Sequence, residues 1–204
     1  MNKNILILII FVVFAGGCFG GKSIEPSYLR IGDGIKSGSN CEKVKSHAPK
    51  MIIKRYTSLP SLDRETVIFA VGSVLNPNYR WSWEGTPAEI FDVIAGPALN
   101  CLDNYEVVTP YRPGIERSLV LSGVITSFEL QQGTKDEFTV AVRYSLWDSS
   151  GKILLSRKLI DASAPVKSID GNSLAAAANS AVESLMNKTI IWIDGLDHAQ
   201  LSQK

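Results

Sequence analysis

The sequence predicts an α+β domain: a mixed, largely antiparallel sheet with two main helices packed on one face. Three stretches carry that reading. Between Glu137 and Trp147, the residues Phe138, Val140, Val142, Tyr144 and Leu146 alternate with Thr139, Arg143 and Ser145, the period of a strand with one wet side. Leu174, Ala178, Ala181, Val182, Leu185, Thr189 and Trp192 recur at helical spacing and fall on one face. Thr86, Pro87 and Glu89 form a helix start, in which Thr86 caps, Pro87 suits the first helical position and Glu89 reaches back.

The chain opens on Lys3 and the apolar run Ile5–Cys18, which closes on Phe14-Ala15-Gly16-Gly17-Cys18. A positive start, a short aliphatic stretch and small residues are the layout of a secretory signal. A membrane-spanning helix needs about 20 apolar residues, and Gly20-Gly21-Lys22 arrives too early for that. Cys18 stands where a lipoprotein signal peptidase would leave a new N-terminus, so lipidation is expected there. The competing reading is an ordinary cleaved signal with Cys18 incidental. Residues 1–17 are accordingly read as a lipoprotein signal peptide and 18–50 as the lipidated N-terminus and spacer. The folded domain is expected over 51–193, with a frayed tail over 194–204.

Phe19 to Lys50 is rich in Gly, Ser, Lys and Pro, interrupted by Tyr28-Leu29-Arg30-Ile31, which could pair as a strand. Ile52–Tyr56 reads as a strand, Leu59–Arg64 as a turn and Thr66–Val74 as a central strand. A polar, aromatic passage from Leu75 to Gly85 leads to the capped helix, whose expected buried stripe is Ile90, Phe91, Val93, Ile94 and Leu99. Gly96-Pro97 should kink or break that helix, since proline removes a donor and clashes one turn back. Tyr105–Val108 is a short strand and Thr109–Gly114 a loop. Ser118–Leu130, Glu137–Trp147 and Lys152–Ile160 should form an antiparallel meander across turns at Gln131–Asp136 and Asp148–Gly151. The last helix takes Asn172 or Ser173 as its expected cap.

Charge and cysteine usage narrow the partners. The formal charge of +1 falls to about zero once Lys3 leaves with the signal. No basic surplus remains to neutralise phosphates, which argues against nucleic acid. Once Cys18 is acylated, Cys41 and Cys101 remain, an even pair that an exported compartment permits to join; two separate buried thiols is the alternative. His47 and His198 are the only histidines and belong to no metal-ligand pattern, so no metal is expected.

A search for catalytic chemistry finds no constellation. Gly72-Ser73-Val74 lacks the rest of a nucleophile elbow, and no glycine-rich phosphate loop is present. Asp148 and Gly151 match only fragments of a calcium loop. The feature that most needs explaining is the aromatic row. If extended, Tyr79, Trp81 and Trp83 project on one side and Arg80, Ser82 and Glu84 on the other. Tyr79, Arg80, Trp81, Trp83 and Glu84 are therefore the candidate partner-binding residues, since aromatics bury large area at small entropic cost. Against this stands a plainer reading, in which the row lids the sheet and Arg80 and Glu84 form a solvated pair.

Taken in order, several pieces of the chain resemble one family. After Cys18 come Pro26-Ser27-Tyr28-Leu29, then Leu59-Pro60 with Leu62-Asp63-Arg64, then Asn78-Tyr79-Arg80-Trp81-Ser82-Trp83-Glu84. Tyr144-Ser145-Leu146-Trp147-Asp148, Gly151-Lys152 and Leu154-Leu155-Ser156-Arg157 complete the set. These resemble the early strand, the turn, the aromatic segment and the final hairpin of the ABC-type transport auxiliary lipoproteins. Gly96-Pro97, which interrupts a helix continuous in that family, and the pair Cys41 and Cys101 depart from its pattern.

The resemblance implies a non-enzymatic outer-membrane lipoprotein, held on the periplasmic face by diacylglycerol and an N-acyl chain on Cys18, with no cofactor and no catalytic residue. Its implied role is as an auxiliary or docking component of an ABC lipid transport system whose MCE-domain protein bridges the periplasm. Assembly into a homo-oligomeric ring is implied with it. The alternative is a ring-forming lipoprotein of a secretion, polysaccharide-export or cell-wall assembly machine.

Overall fold

A computed structural model describes residues 27–32, 48–109 and 114–196 of the chain. Its elements run β1 (Ser27–Leu29), β2 (Lys50–Ile53), β3 (Thr57–Ser58), β4 (Thr66–Val71), β5 (Val74–Trp83), α1 (Pro87–Leu99), β6 (Glu106–Val108), β7 (Leu119–Gln132), β8 (Glu137–Trp147), β9 (Leu154–Pro165) and α2 (Gly171–Asp194). The expected α+β class is observed, a mixed sheet with two helices.

The layout follows from β7, the longest strand. Along one edge it takes three short strands in succession, all parallel: β2 beside Leu119–Leu121, β3 beside Val124 and Ile125, and β4 beside Leu130–Gln132. Its other edge pairs antiparallel with β8, and β8 with β9, which is the expected meander. β5 folds back on β4, β1 lies parallel to β5, and β6 flanks β2.

A register shift between Ile125 and Ser127 keeps β7 in step with its burial. Leu119, Leu121 and Ile125 are buried at odd positions, whereas Phe128 and Leu130 are buried at even ones. One extra residue lets both sets face the helices, where an unbroken strand would turn half of them outward. On β8 the alternation holds as read: Phe138, Val140, Val142, Tyr144 and Leu146 are buried, with Arg143 exposed on the opposite side. That opposite side carries polar contacts, including Trp147 Nε1 donating to Ser122 Oγ at 3.0 Å and Arg157 Nε donating to Ser145 Oγ at 3.2 Å.

Several boundaries differ from the sequence expectation. The folded unit reaches back before Met51, because β1 joins the sheet and Leu29 and Ile31 are buried. Thr66–Val74 is not one strand: Gly72 adopts φ +58, Val71 pairs with Val74, and the chain reverses through Gly72-Ser73. In α1 the capping box on Thr86 and Glu89 forms as expected. Val93, however, is 74% exposed, and Ala95 and Ala98 join the buried face in its place.

Nor does Gly96-Pro97 break α1, which runs unbroken to Leu99. Proline costs one hydrogen bond near the helix end, where the carbonyl of solvent-facing Val93 can turn to water. Asp170 caps α2, not Asn172 or Ser173; its Oδ1 accepts from the Ser173 backbone N–H at 3.0 Å, while Asn172 and Ser173 lie in the first turn. β9 continues to Pro165 and α2 includes Asp194, both beyond the expected limits.

Two predictions follow from this packing. A Cβ built on Gly123 would stand 2.4 Å from the Tyr56 ring. Gly123→Ala should therefore lower the unfolding free energy by about 1–3 kcal/mol in chemical denaturation, as over-packed cores do.

The second concerns acid. The Asp148 carboxyl is held down at about 2, first by the Ser150 hydroxyl and then by backbone N–H groups of the turn, including those of Ile153 and Lys152. Asp170 is held at about 2 by the Ser168 hydroxyl and then by Ser173. Both bind a proton less readily folded than unfolded, so their stabilisation is present above the ordinary carboxylate range and disappears as pH falls through the folded value. Stability should drop between about pH 4 and about pH 2, and Asp148→Asn with Asp170→Asn should flatten that slope in acid titration of the circular dichroism signal.

Candidate functional site

The aromatic row is divided by the pleat. Trp81 and Trp83 are 5% and 1% exposed and point into the core. Trp83 meets Phe128 and Phe138 edge-on, with ring centroids 5.3 and 5.5 Å away, and Phe128 and Phe138 meet each other at 5.1 Å. Trp81 stacks on Phe69 at 6.1 Å. These two tryptophans fasten β5 and β1 to the sheet, so they are not direct contacts for a partner.

What reaches the surface is Tyr79, 75% exposed, together with Arg80 and Glu84. β5 departs from its register with β4 at this point: Val67 lies beside Asn78 but Thr66 beside Ser82. The bulge turns Tyr79 out, although it alternates with Trp81 in sequence. Arg80 and Glu84 do not pair with each other. The Arg80 guanidinium lies 4.9 Å from the centre of the Trp81 ring, and Glu84 Oε2 accepts from Arg30 Nε at 2.8 Å. The result is a small polar-aromatic patch supported from beneath by Trp81, with Tyr28 of β1 also 67% exposed nearby.

A cleft of about 620 Å³ opens on the other side of α1, between that helix, the chain after β2 and the chain after β6. Ile53, Ala95 and Gly96 give it apolar wall, and Lys54, Arg55, Asp92 and Thr109 line the rest. Asp92 Oδ1 accepts from the Tyr56 backbone N–H at 2.7 Å, which ties the helix to the β2–β3 connection and engages one carboxylate oxygen. Gly96 is required by closeness: an added Cβ would stand 2.6 Å from Thr109 Oγ1. No local pattern announces this cleft, because its walls come from three separated segments. With one engaged carboxylate and two exposed cations, it can hold an acidic or amphiphilic group.

Among the described residues, the buried titratable side chains include Tyr56, Tyr144 and Glu129. Tyr56 and Tyr144 meet edge-on, with ring centroids 6.2 Å apart. Burial pushes the Tyr56 phenol well up and the Tyr144 phenol to about 12, so both stay neutral. Glu129 is 5% exposed, and desolvation raises its carboxyl above the ordinary value. Its Oε1 accepts from Gln131 Nε2 at 3.2 Å, and it has no carboxylate neighbour among its hydrogen-bond partners. Among the described residues, no group of three His, Cys, Asp or Glu could hold a metal ion, and no helix is long and apolar enough to cross a membrane.

Cys101, just past the end of α1, is disulfide-bonded. The other two cysteines, Cys18 and Cys41, lie outside the described residues, as do His47 and His198.

No family model matches the chain, and no curated protein does. Solved structures do. Protein XCC0632 from Xanthomonas campestris, of family DUF330, is similar over 77% of this chain and 89% of its own at TM-score 0.65 and 17% identity. An uncharacterized protein is similar over 82% of this chain and 98% of its own at TM-score 0.64 and 9% identity. The hypothetical protein CT253 from Chlamydia trachomatis follows at TM-score 0.53 and 10% identity, over 77% of this chain and 99% of its own. They share its fold. At these identities the likeness concerns architecture alone, and each neighbour is spanned almost end to end.

The division of the aromatic row is open to measurement. Trp83→Ala should cost about 3–5 kcal/mol of stability, as for other large core truncations, whereas Tyr79→Ala should stay within about 0.5 kcal/mol. Urea denaturation followed by circular dichroism separates the two.

Proposed function

We propose that this chain is an outer-membrane lipoprotein, anchored through Cys18, that serves as the auxiliary docking component of an MCE-type ABC lipid transport system. The observation that carries the reading is the ordered set of matching pieces, from Cys18 through Leu59–Arg64 and Asn78–Glu84 to Leu154–Arg157. The shared fold with a DUF330 structure is compatible with it.

The mechanism is positional. Acyl chains on Cys18 hold the domain at a surface, and a tether raises the local concentration of the docking face where the bridging partner arrives. Tyr79, Arg80 and Glu84 form the docking patch, and Trp81 and Trp83 hold it rigid from below. Ring assembly would repeat that patch around the arriving partner. A disulfide between Cys41 and Cys101 would pin the spacer to the end of α1.

In the native envelope, mass spectrometry of the mature chain should show diacylglycerol and one further acyl group on Cys18. Cys18→Ser should abolish acylation and lipoprotein-type cleavage and remove the protein from the outer-membrane fraction. Crosslinking in intact cells should recover an MCE-domain protein, and Tyr79→Ala with Arg80→Ala should reduce that recovery about tenfold without loss of stability. Recovery of a polysaccharide exporter or a peptidoglycan synthase in its place would overturn the reading.

A further inference from the structure

The β4–β5 hairpin carries apolar side chains where the core has no use for them. Val71 is 54% exposed, Val74 60% and Leu75 39%, all around the Gly72-Ser73 turn. From Thr66 to Tyr79 the sequence holds no charged residue at all. A turn that faces only water is ordinarily polar. The hairpin is also an edge, because β1 covers the outer side of β5 only at Trp81–Trp83, and among the described residues no strand pairs with Val74–Arg80 on that side, opposite β4. Such an edge is commonly guarded by charge.

The surroundings of the tip point to an occupant. Val71 lies beside Gln132, Gln131 beside Glu137, and Glu137 beside Pro165. The hairpin tip, the β7–β8 turn and the β9–α2 connection therefore lie at one end of the sheet. Exposed Lys135, Lys167 and Ile169 occupy those two connections. Three acidic groups share this end, each engaged locally: Asp136 Oδ1 accepts from the Gly133 N–H at 3.3 Å, Glu137 Oε2 accepts from Ser163 Oγ at 3.0 Å, and Asp170 caps α2. Apolar tips flanked by lysines suit a surface that is greasy within and anionic at its headgroups.

The path of the chain leads to the same end. β1 is parallel to β5, with Ser27 beside Trp81 and Leu29 beside Trp83, so the chain enters β1 from the side that leads back toward Val74. Val74 to Trp81 spans about 20 Å of strand. Cys18 stands nine positions before Ser27, a reach of up to about 30 Å. An anchor on Cys18 thus lets this end of the sheet, ahead of the opposite one, meet the surface that holds the acyl chains.

We infer that the Val71–Leu75 tip is a second contact with the lipid surface, seating Val71, Val74 and Leu75 among headgroups and the first acyl carbons. The inference rests on the proposed acylation of Cys18. Its consequence is orientation: a tether alone lets the domain swivel, whereas tether and tip together fix its axis. The β8–β9 turn at Asp148–Gly151 then faces away from the membrane, since Trp147 lies beside Val120 at the far end of β7.

The test uses the full mature, acylated protein in vesicles of phosphatidylethanolamine and phosphatidylglycerol doped with a nitroxide-labelled lipid. A nitrobenzoxadiazole fluorophore is attached in one sample at Ser73→Cys and in another at Ser150→Cys. Quenching several-fold stronger at position 73, with a blue-shifted emission, is the expected result. Adding Val71→Asp and Val74→Asp, at exposed positions the core does not use, should abolish it while acylation and circular dichroism stay unchanged. If mass spectrometry shows Cys18 acylated but the probe at 73 remains in water, this inference falls and the anchor stands. An unmodified Cys18 removes both. A blue shift at 73 that persists in detergent and rises with protein concentration would place the tip against a second copy of the chain and overturn the lipid assignment.

Discussion

Backbone hydrogen bonding along both edges of β7 is the constraint on which the rest of the molecule depends. Its 14 residues must satisfy three short parallel strands on one side and the whole of β8 on the other. β2, β3 and β4 follow one another along that edge with short breaks between them, so the crossover that their parallel pairing needs runs from β4 through β5, α1 and β6 to β7. The bulge near Thr126 lets one strand serve all of them, because it resets the side-chain alternation where the neighbours change. Without it, Phe128 and Leu130 would leave the core and the Trp83–Phe128–Phe138 cluster would lose its centre.

That cluster explains how an aromatic segment can be both structural and exposed. A strand shows alternate residues to opposite faces, but β5 is bulged against β4, so its tryptophans are core while Tyr79 stands outside. Rigidity below and exposure above are a sound basis for a docking patch, since a pre-ordered surface loses less entropy on binding. The sequence grouped Tyr79, Trp81 and Trp83 on one side; the bulge separates the first from the others.

The two ends of the sheet differ in character. One end gathers the apolar hairpin tip and two lysines; the other carries the Asp148 turn, whose carboxylate accepts from N–H and hydroxyl donors. The cleft beside α1, lined by Lys54 and Arg55, lies nearer the second end, where the Lys54 N–H donates to the Leu121 carbonyl at 2.8 Å.

Local chemistry made much of this legible from residues alone. The Thr86–Glu89 capping box is decided within four positions, the alternation on β8 within eleven, and the α2 face by its own periodicity. The run Ile5–Cys18 argues export and anchoring by its own order of charge, grease and small residues. What needed the tertiary structure depends on neighbours distant in sequence. The burial of Trp81 and Trp83 follows from Phe69, Phe128 and Phe138 across the sheet, the cleft comes from three segments meeting, and Val93 faces water because the sheet lies on the other side of α1. Short-range propensity fixes where an element begins and which way it repeats; only long-range packing decides which of its faces is left for a partner.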